Sequence, residues 1–252
     1  MSKLTAIQYW EATQASPVID LDKDNIVRRW IESNLDFSNI KNCIEIGCYP
    51  GRYLSVFAEK GIEVNGLDYI PRVKELRDMF KSHGYNTGEF VCGDFLNINI
   101  DRKYDCVISL GFIEHFQSWE NVLVKHISLL SDEGTLVIET PNFRGWMQWL
   151  PRFFFDRDNL KRHNVQAINL EKWRSLLLKH NMTIVYAGYF GEYLLWFESN
   201  IKNRYVNLLK KITLKSLMKI RQYIFTDKRD DKSFSAAMGI IATKRKQALQ
   251  NV

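Results

Sequence analysis

The feature that most constrains this chain is a rhythm of short apolar runs and helical segments. Runs at 42–46, 62–67, 89–92 and 104–110 read as strands, and so does "TLVIET", which Gly134 opens and Pro141 stops. Segments of helical period at 51–60, 71–82 and 118–130 lie between them, with Pro71 suited to a first helical turn. Strands joined through helices run parallel, and a parallel sheet needs helices on both faces. The rhythm loosens later. A helix is expected at 169–180, a strand at 182–190 ("MTIVYAGYF") and a last strand in "SFSAAMGIIATKRK". Residues 1–35 read as helical, with apolar positions such as Ile7, Trp10, Trp30 and Ile31.

Composition narrows the class. At 252 residues, 46% hydrophobic and 25% charged, the chain has the profile of an ordinary globular protein with material for a sizeable core. No apolar run approaches the roughly 18 to 20 residues that would span a bilayer. The start "MSKLTAIQYWEATQ" lacks a basic-then-apolar export pattern, so a cytoplasmic location is expected. Cys43, Cys48, Cys92 and Cys106 have no metal-ligand spacing, which implies reduced thiols and no structural zinc. The net charge of +6 is local: residues 201–229 hold nine Lys/Arg and one Asp, a balance of +8 that leaves −2 elsewhere. A basic element is attached to a fold that is not itself basic, which argues against general nucleic-acid binding.

The first strand leads into "CIEIGCYPGRY", residues 43–53: an apolar run, a glycine turn, then a helical pattern. Such loops cradle nucleotides. A dinucleotide fingerprint, Gly-x-Gly-x-x-Gly from Gly47, would need glycine at Tyr49 and Arg52, so a nucleotide-binding oxidoreductase is disfavoured. Glu45, Gly47 and Gly51 instead fit acidic-x-Gly-x-x-x-Gly. That pattern resembles the first motif of class I S-adenosylmethionine (SAM)-dependent methyltransferases. Asp68 ends the second strand, where a carboxylate can accept from both ribose hydroxyls, with Tyr69 beside it. Asp94-Phe95 follows the third strand, "SLGFIEHF" closes the fourth and "ETPN" the fifth. The resemblance covers about residues 40–190 and 234–245.

It implies a Rossmann-like sheet of seven strands, mostly parallel, with an antiparallel last strand. It also implies SAM as cofactor. Glu45 would sit near the methionine amino group, the backbone of Gly47 and Leu110 near the methionine moiety, Asp94 and Phe95 at the adenine, and the Tyr49 ring over the cofactor. The organisation expected is one methyltransferase domain over 1–252, with an N-terminal helical cap (1–35), a cofactor-binding core (40–190) and a basic helical insertion (198–232). The acceptor expected is a small molecule: a hydroxyl on a sugar, lipid-linked or natural-product intermediate. No Asn-Pro-Pro-Tyr-type motif follows the fourth strand, which disfavours nucleic-acid methylation. The rival readings are a non-catalytic SAM-fold protein acting through its basic helix, and a cyclopropane-type lipid methyltransferase, which Phe112 and Glu114-His115 resemble.

Methyl transfer to a hydroxyl needs alignment and a base, and histidine suits the second task. His115 follows the fourth strand at the sheet edge where open α/β folds bind ligands, and His163 lies between the fifth strand and a helix. These two are the catalytic candidates. His83, His126 and His180 fit structural or surface roles. Some ubiquinone-pathway O-methyltransferases bind a divalent metal through Glu-x-x-Glu-His. Here Gly111 replaces the first acid, so no metal is expected. Two aromatic stretches stand out: "FRGWMQWLPRFFF" (143–155), a candidate wall for the acceptor, and 186–197, with Tyr189, Phe190, Tyr193 and Trp196. Within 205–225, lysines alternate with apolar residues at near-helical spacing. That pattern suits an anionic membrane surface, a phosphate-bearing substrate or packing on a second subunit of a homodimer.

Overall fold

In the computed structural model, residues 4–5, 7–13, 16–193, 195, 197, 204–224 and 231–246 are described. Helices α1 (Ile7–Thr13) and α2 (Ile26–Asn34) precede β1 (Asn42–Ile46), α3 (Leu54–Ala58), β2 (Glu63–Asp68), α4 (Val73–Ser82) and β3 (Thr87–Cys92). Then come β4 (Tyr104–Leu110), a 3-10 turn (Ile113–His115), α5 (Trp119–Ser128), β5 (Leu130–Pro141), α6 (Trp146–Phe155), α7 (Arg157–Lys161) and α8 (Leu170–Lys179). The chain closes with β6 (Met182–Phe190), α9 (Arg204–Ile224) and β7 (Ala237–Lys244). One seven-stranded sheet has the order β3-β2-β1-β4-β5-β7-β6, with β7 antiparallel to both its neighbours and the other pairings parallel.

The two-residue period of the strands explains why both faces are apolar. Cys43 of β1 and Cys106, Ile108 and Leu110 of β4 enter one core with α2, α3 and α4. Ile44 and Ile46 of β1 and Val107 of β4 enter the other, with α5 and α8. Trp30 of α2 stacks flat on Phe190 of β6 at 4.6 Å, and a Cβ on Gly239 of β7 would collide with that indole. The helix is started by Asn25, whose side chain accepts from the N–H groups of Val27 and Arg28.

Several sequence expectations shift for local reasons. The region read as helical over 1–35 holds two helices, and residues 17–22 between them run without helix, with Val18 N–H donating to Pro50 O at 2.8 Å. The first crossover helix starts at Leu54, not 51, since Gly51 has φ +102° and belongs to the turn. β5 starts at Leu130, ahead of Gly134, with a register shift against β4. The aromatic run 143–155, read as a wall, contains helix α6, with Pro151 inside it. β6 is an edge strand and, among the described residues, pairs with antiparallel β7. It still shares the direction of β5. The C-terminal ends of β1, β2, β3, β4 and β5 therefore meet at one edge, where the antiparallel β7 begins.

Candidate active site

At that edge lies a cleft of about 420 Å³. Its walls include Glu45, Gly47, Tyr49, Asp68, Tyr69, Asp94, Phe95, Leu110 and His115. Every candidate named from the sequence reaches it except Gly51 and His163.

The loop after β1 owes its shape to specific residues. Gly47 has φ +79°, and its N–H donates to Leu67 O at 2.8 Å. A Cβ there would stand 2.6 Å from the Phe112 ring. Gly51 closes the turn through its N–H to Cys48 O at 2.7 Å, and a Cβ there would meet Leu76 Cδ2 at 2.9 Å. It serves packing behind the loop rather than the cleft wall. The Tyr49 ring is buried beside the Arg72 guanidinium, 5.4 Å away, so it is part of the wall rather than a loose cover. The Tyr49 N–H donates to Asp68 Oδ2 at 2.9 Å and the Ile70 N–H to Oδ1 at 3.0 Å. These bonds fix the carboxylate at the end of β2.

Asp94 shapes the turn after β3, accepting from Leu96 N–H at 3.2 Å and Asn97 Nδ2 at 3.0 Å, while buried Phe95 packs on Phe112 and His126. Glu45 is 1% exposed, and its Oε2 has no hydrogen-bond partner among the described residues. Burial pushes its pKa well above the usual carboxylate range, nearby Arg52 lowers it and Asp68 raises it. A buried, unsatisfied carboxyl in a cleft awaits a donor, and the cationic amino group of SAM is such a donor.

The opposite wall is built around His115. Its Nδ1 lies 2.9 Å from Arg162 O and 3.2 Å from Thr5 Oγ1, two contacts that orient the ring. The segment that follows clasps this turn, with Asn164 N–H donating to Glu114 O at 2.6 Å. The N-terminal residues cover it. Trp10 meets the imidazole edge-on at 5.0 Å, and Leu4 N–H donates to His115 O at 3.0 Å. His163 does not line the cleft; it packs behind His115, ring centres 4.7 Å apart, with Nδ1 donating to Asn159 O at 2.7 Å. Burial, then His115, lowers its pKa to about 3.

Of two buried acids here, Glu139 was not singled out from the sequence, and Glu114 was named only as part of the Glu114-His115 pair. Glu139, near the end of β5 in "ETPN", lines the cleft, and burial with the nearby Glu114 carboxyl pushes its pKa up to about 8. Its place at a strand end was the available signal. Glu114 lies behind His115, Oε1 3.9 Å from Nε2, and burial raises its pKa to about 7. Glu114, His115 and His163 place one ligand atom each within 4.8 Å of one another. The absence of a metal was argued from Gly111, and the fold brings His163 to the Glu114-His115 pair instead. A two-histidine, one-carboxylate set can accept a divalent ion.

The aromatic run 143–155 contributes none of the described cleft lining: Phe143 is buried under Arg152 and His163, while Trp146, Leu150 and Phe154 face outward from α6. In the second stretch, Phe190 and Tyr193 are core, and Trp196 lies outside the described residues.

Two predictions arise here. Gly47→Ala should weaken SAM binding by about tenfold or more in calorimetry, because the new methyl must displace Phe112 at a left-handed backbone position. Unchanged affinity would show that the loop tolerates the shift. The second concerns pH. The Glu139 carboxyl has a folded pKa raised above its unfolded value near 4.5. Its contribution is therefore fully present below that value and is lost as pH rises through about 8. In denaturant titrations of the cofactor-free protein, the wild type should lose stability relative to Glu139→Gln across that window. Parallel curves would refute the assignment.

An acid–glycine loop, a strand-end aspartate and a β7 inserted antiparallel beside β5 define the class: an open α/β fold of the seven-stranded methyltransferase type. The sequence model of a family described as "Methyltransferase domain" matches residues 21–187. The chain belongs to that methyltransferase family and is a SAM-dependent methyltransferase. Solved structures share the fold. A SAM-dependent methyltransferase from Archaeoglobus fulgidus is 21% identical, with 86% of this chain and 93% of that one covered and a TM-score of 0.53. The N-methyltransferase NodS from Bradyrhizobium japonicum, in complex with S-adenosylhomocysteine (SAH), is 13% identical over 88% and 89%, TM-score 0.53. The plantazolicin methyltransferase BamL, in complex with a triazolic desmethylPZN analogue and SAH, is 16% identical over 87% and 84%, TM-score 0.53. A search of curated proteins returns no match.

Proposed function

We propose that the chain methylates a hydroxyl of a small molecule, a sugar, lipid-linked or natural-product intermediate, with His115 taking the proton. The observation that carries this reading is the place of His115: an imidazole on the cleft wall, held on its Nδ1 side by Arg162 O at 2.9 Å and Thr5 Oγ1 at 3.2 Å. When bound, SAM supplies an electrophilic methyl carbon on a positively charged sulfur. The protein's part is placement. Glu45 receives the amino group, Asp68 the ribose hydroxyls, Asp94 and Phe95 the adenine, and the backbone at Gly47 and Leu110 flanks the methionine chain. Trp10, Phe112 and Phe116 give the cleft an apolar wall that excludes water beside His115. Once His115 holds the proton, the Glu114 carboxyl 3.9 Å from Nε2 stabilises the imidazolium in its ionised form. His163, kept neutral by burial, supports the His115 ring from behind.

The fold alone does not choose the methylated atom, since one neighbour is named as an N-methyltransferase. The discriminating experiment is transfer from methyl-labelled SAM to matched hydroxyl and amine acceptors, with wild type and His115→Ala. Hydroxyl methylation that collapses in the variant supports the reading. Amine methylation indifferent to His115, with no hydroxyl product, would overturn it. A chain that binds SAM tightly but methylates nothing would favour the non-catalytic alternative.

A further inference from the structure

Helix α9 turns a stripe of apolar residues outward. Tyr205, Leu208, Leu209 and Ile212 are between 52% and 81% exposed. Their spacing of three, one and three residues puts them on one stripe of the helix. Lys211, Lys215 and Lys219 are exposed beside that stripe. The side turned toward the protein carries Thr213, Leu214 and Leu217, each half-buried, so the exposed stripe is not the packing face. The Lys210 ammonium also turns inward, over the Phe197 ring at 5.2 Å. The sequence of α9 contains no acidic residue.

We propose that α9 docks the protein on an anionic lipid surface, lying in the interface with Leu208, Leu209 and Ile212 among the acyl chains and its lysines at the headgroups. A helix with an apolar stripe bordered by lysines has the chemistry of an interfacial helix. The helix does not cross the bilayer: no helix among the described residues is long and apolar enough to do so. Two other occupants fit less well. A second copy packed across a two-fold axis would bring Lys211, Lys215 and Lys219 against the same lysines, with no acid on the helix to compensate. A nucleic acid would pair with the lysines and leave the leucines and isoleucine in water. Topology adds the orientation. α9 lies between the end of β6 and the start of β7, and Ala237, the first residue of β7, lines the cleft. Docking would therefore set the cleft-bearing edge of the sheet toward the membrane. This inference does not depend on which acceptor is methylated.

The test is vesicle flotation of the full chain, with phosphatidylcholine alone and with equal parts phosphatidylcholine and phosphatidylserine. Two variants are compared, Leu209→Glu/Ile212→Glu and Lys211→Ser/Lys215→Ser/Lys219→Ser. SAH binding checks that each remains folded. The wild type should float with the anionic vesicles and be released by salt. Each variant should bind on the order of tenfold more weakly while keeping SAH affinity. Failure of the wild type to float, or flotation equal in wild type and both variants, overturns the proposal. So does a dimer in sedimentation equilibrium that Leu209→Glu/Ile212→Glu dissociates, without vesicle binding, which would assign the stripe to a second copy.

Discussion

Asp68→Ala is expected to lower affinity for SAM and SAH by roughly two to four orders of magnitude. The carboxylate stands at the end of β2, oriented by the N–H groups of Tyr49 and Ile70. Two charge-assisted bonds to ribose hydroxyls, at roughly 1.5–3 kcal/mol each, account for that range. The substitution has a second consequence, since the Tyr49 N–H is buried and would lose its acceptor. Asp68→Asn removes less. Its amide oxygen can still accept from Tyr49, while its NH2 would face the Ile70 N–H, so the charge and one of the two backbone anchors are lost, and a smaller fall of about tenfold is expected. Calorimetry with SAM, SAH and NAD checks all of this. NAD should not bind the wild type, because the buried Tyr49 and the loop beneath Phe112 leave no bare glycine turn for a pyrophosphate. An alanine variant that binds SAM like the wild type would remove Asp68 from the cofactor site.

The parts of this molecule legible in the sequence are those governed by short-range rules. The parallel core follows from apolar runs alternating with helical segments, and the cleft from glycine turns and acids at strand ends. Glu45, Asp68 and Asp94 lie at or just after strand ends on one edge of the sheet, which is why the sequence could place them beside the cleft. Longer-range packing was not readable. Nothing local shows that Trp10 rests on His115, or that Arg162 O meets its Nδ1. His163 and His115 looked equivalent along the chain. Only the fold shows that one lines the cleft and the other stands behind it. The aromatic run 143–155 misled for a related reason. Its composition suggests a wall, but helical spacing turns Trp146, Leu150 and Phe154 outward together. Glu139 was missed, and Glu114 was read only as the partner of His115, because a carboxyl becomes chemically unusual only through burial, which no short motif encodes.

The sharpest test of the chemistry is the pair His115→Ala and His163→Phe. Removing the general base is expected to lower kcat toward hydroxyl acceptors by about 10²–10⁴. SAM affinity should be nearly unchanged, because the cofactor contacts assigned to Glu45, Asp68 and Asp94 remain. The wild type should show an acid limb in kcat/KM, since a protonated His115 cannot accept, and the variant should lose that limb. His163→Phe keeps a ring against Phe143 and His115 and removes the ring nitrogens with the bond to Asn159 O. With its pKa near 3, His163 stays neutral across the working range, so replacing it should shift turnover far less and leave the acid limb in place. The two histidines would exchange roles if His163→Phe abolished turnover while His115→Ala spared it. If neither variant changed the pH profile, proton removal would belong to solvent or to the acceptor itself. The cleft would then act by alignment alone, a mechanism in which an amine acceptor needs no base and Trp10 and Phe112 contribute chiefly by excluding water.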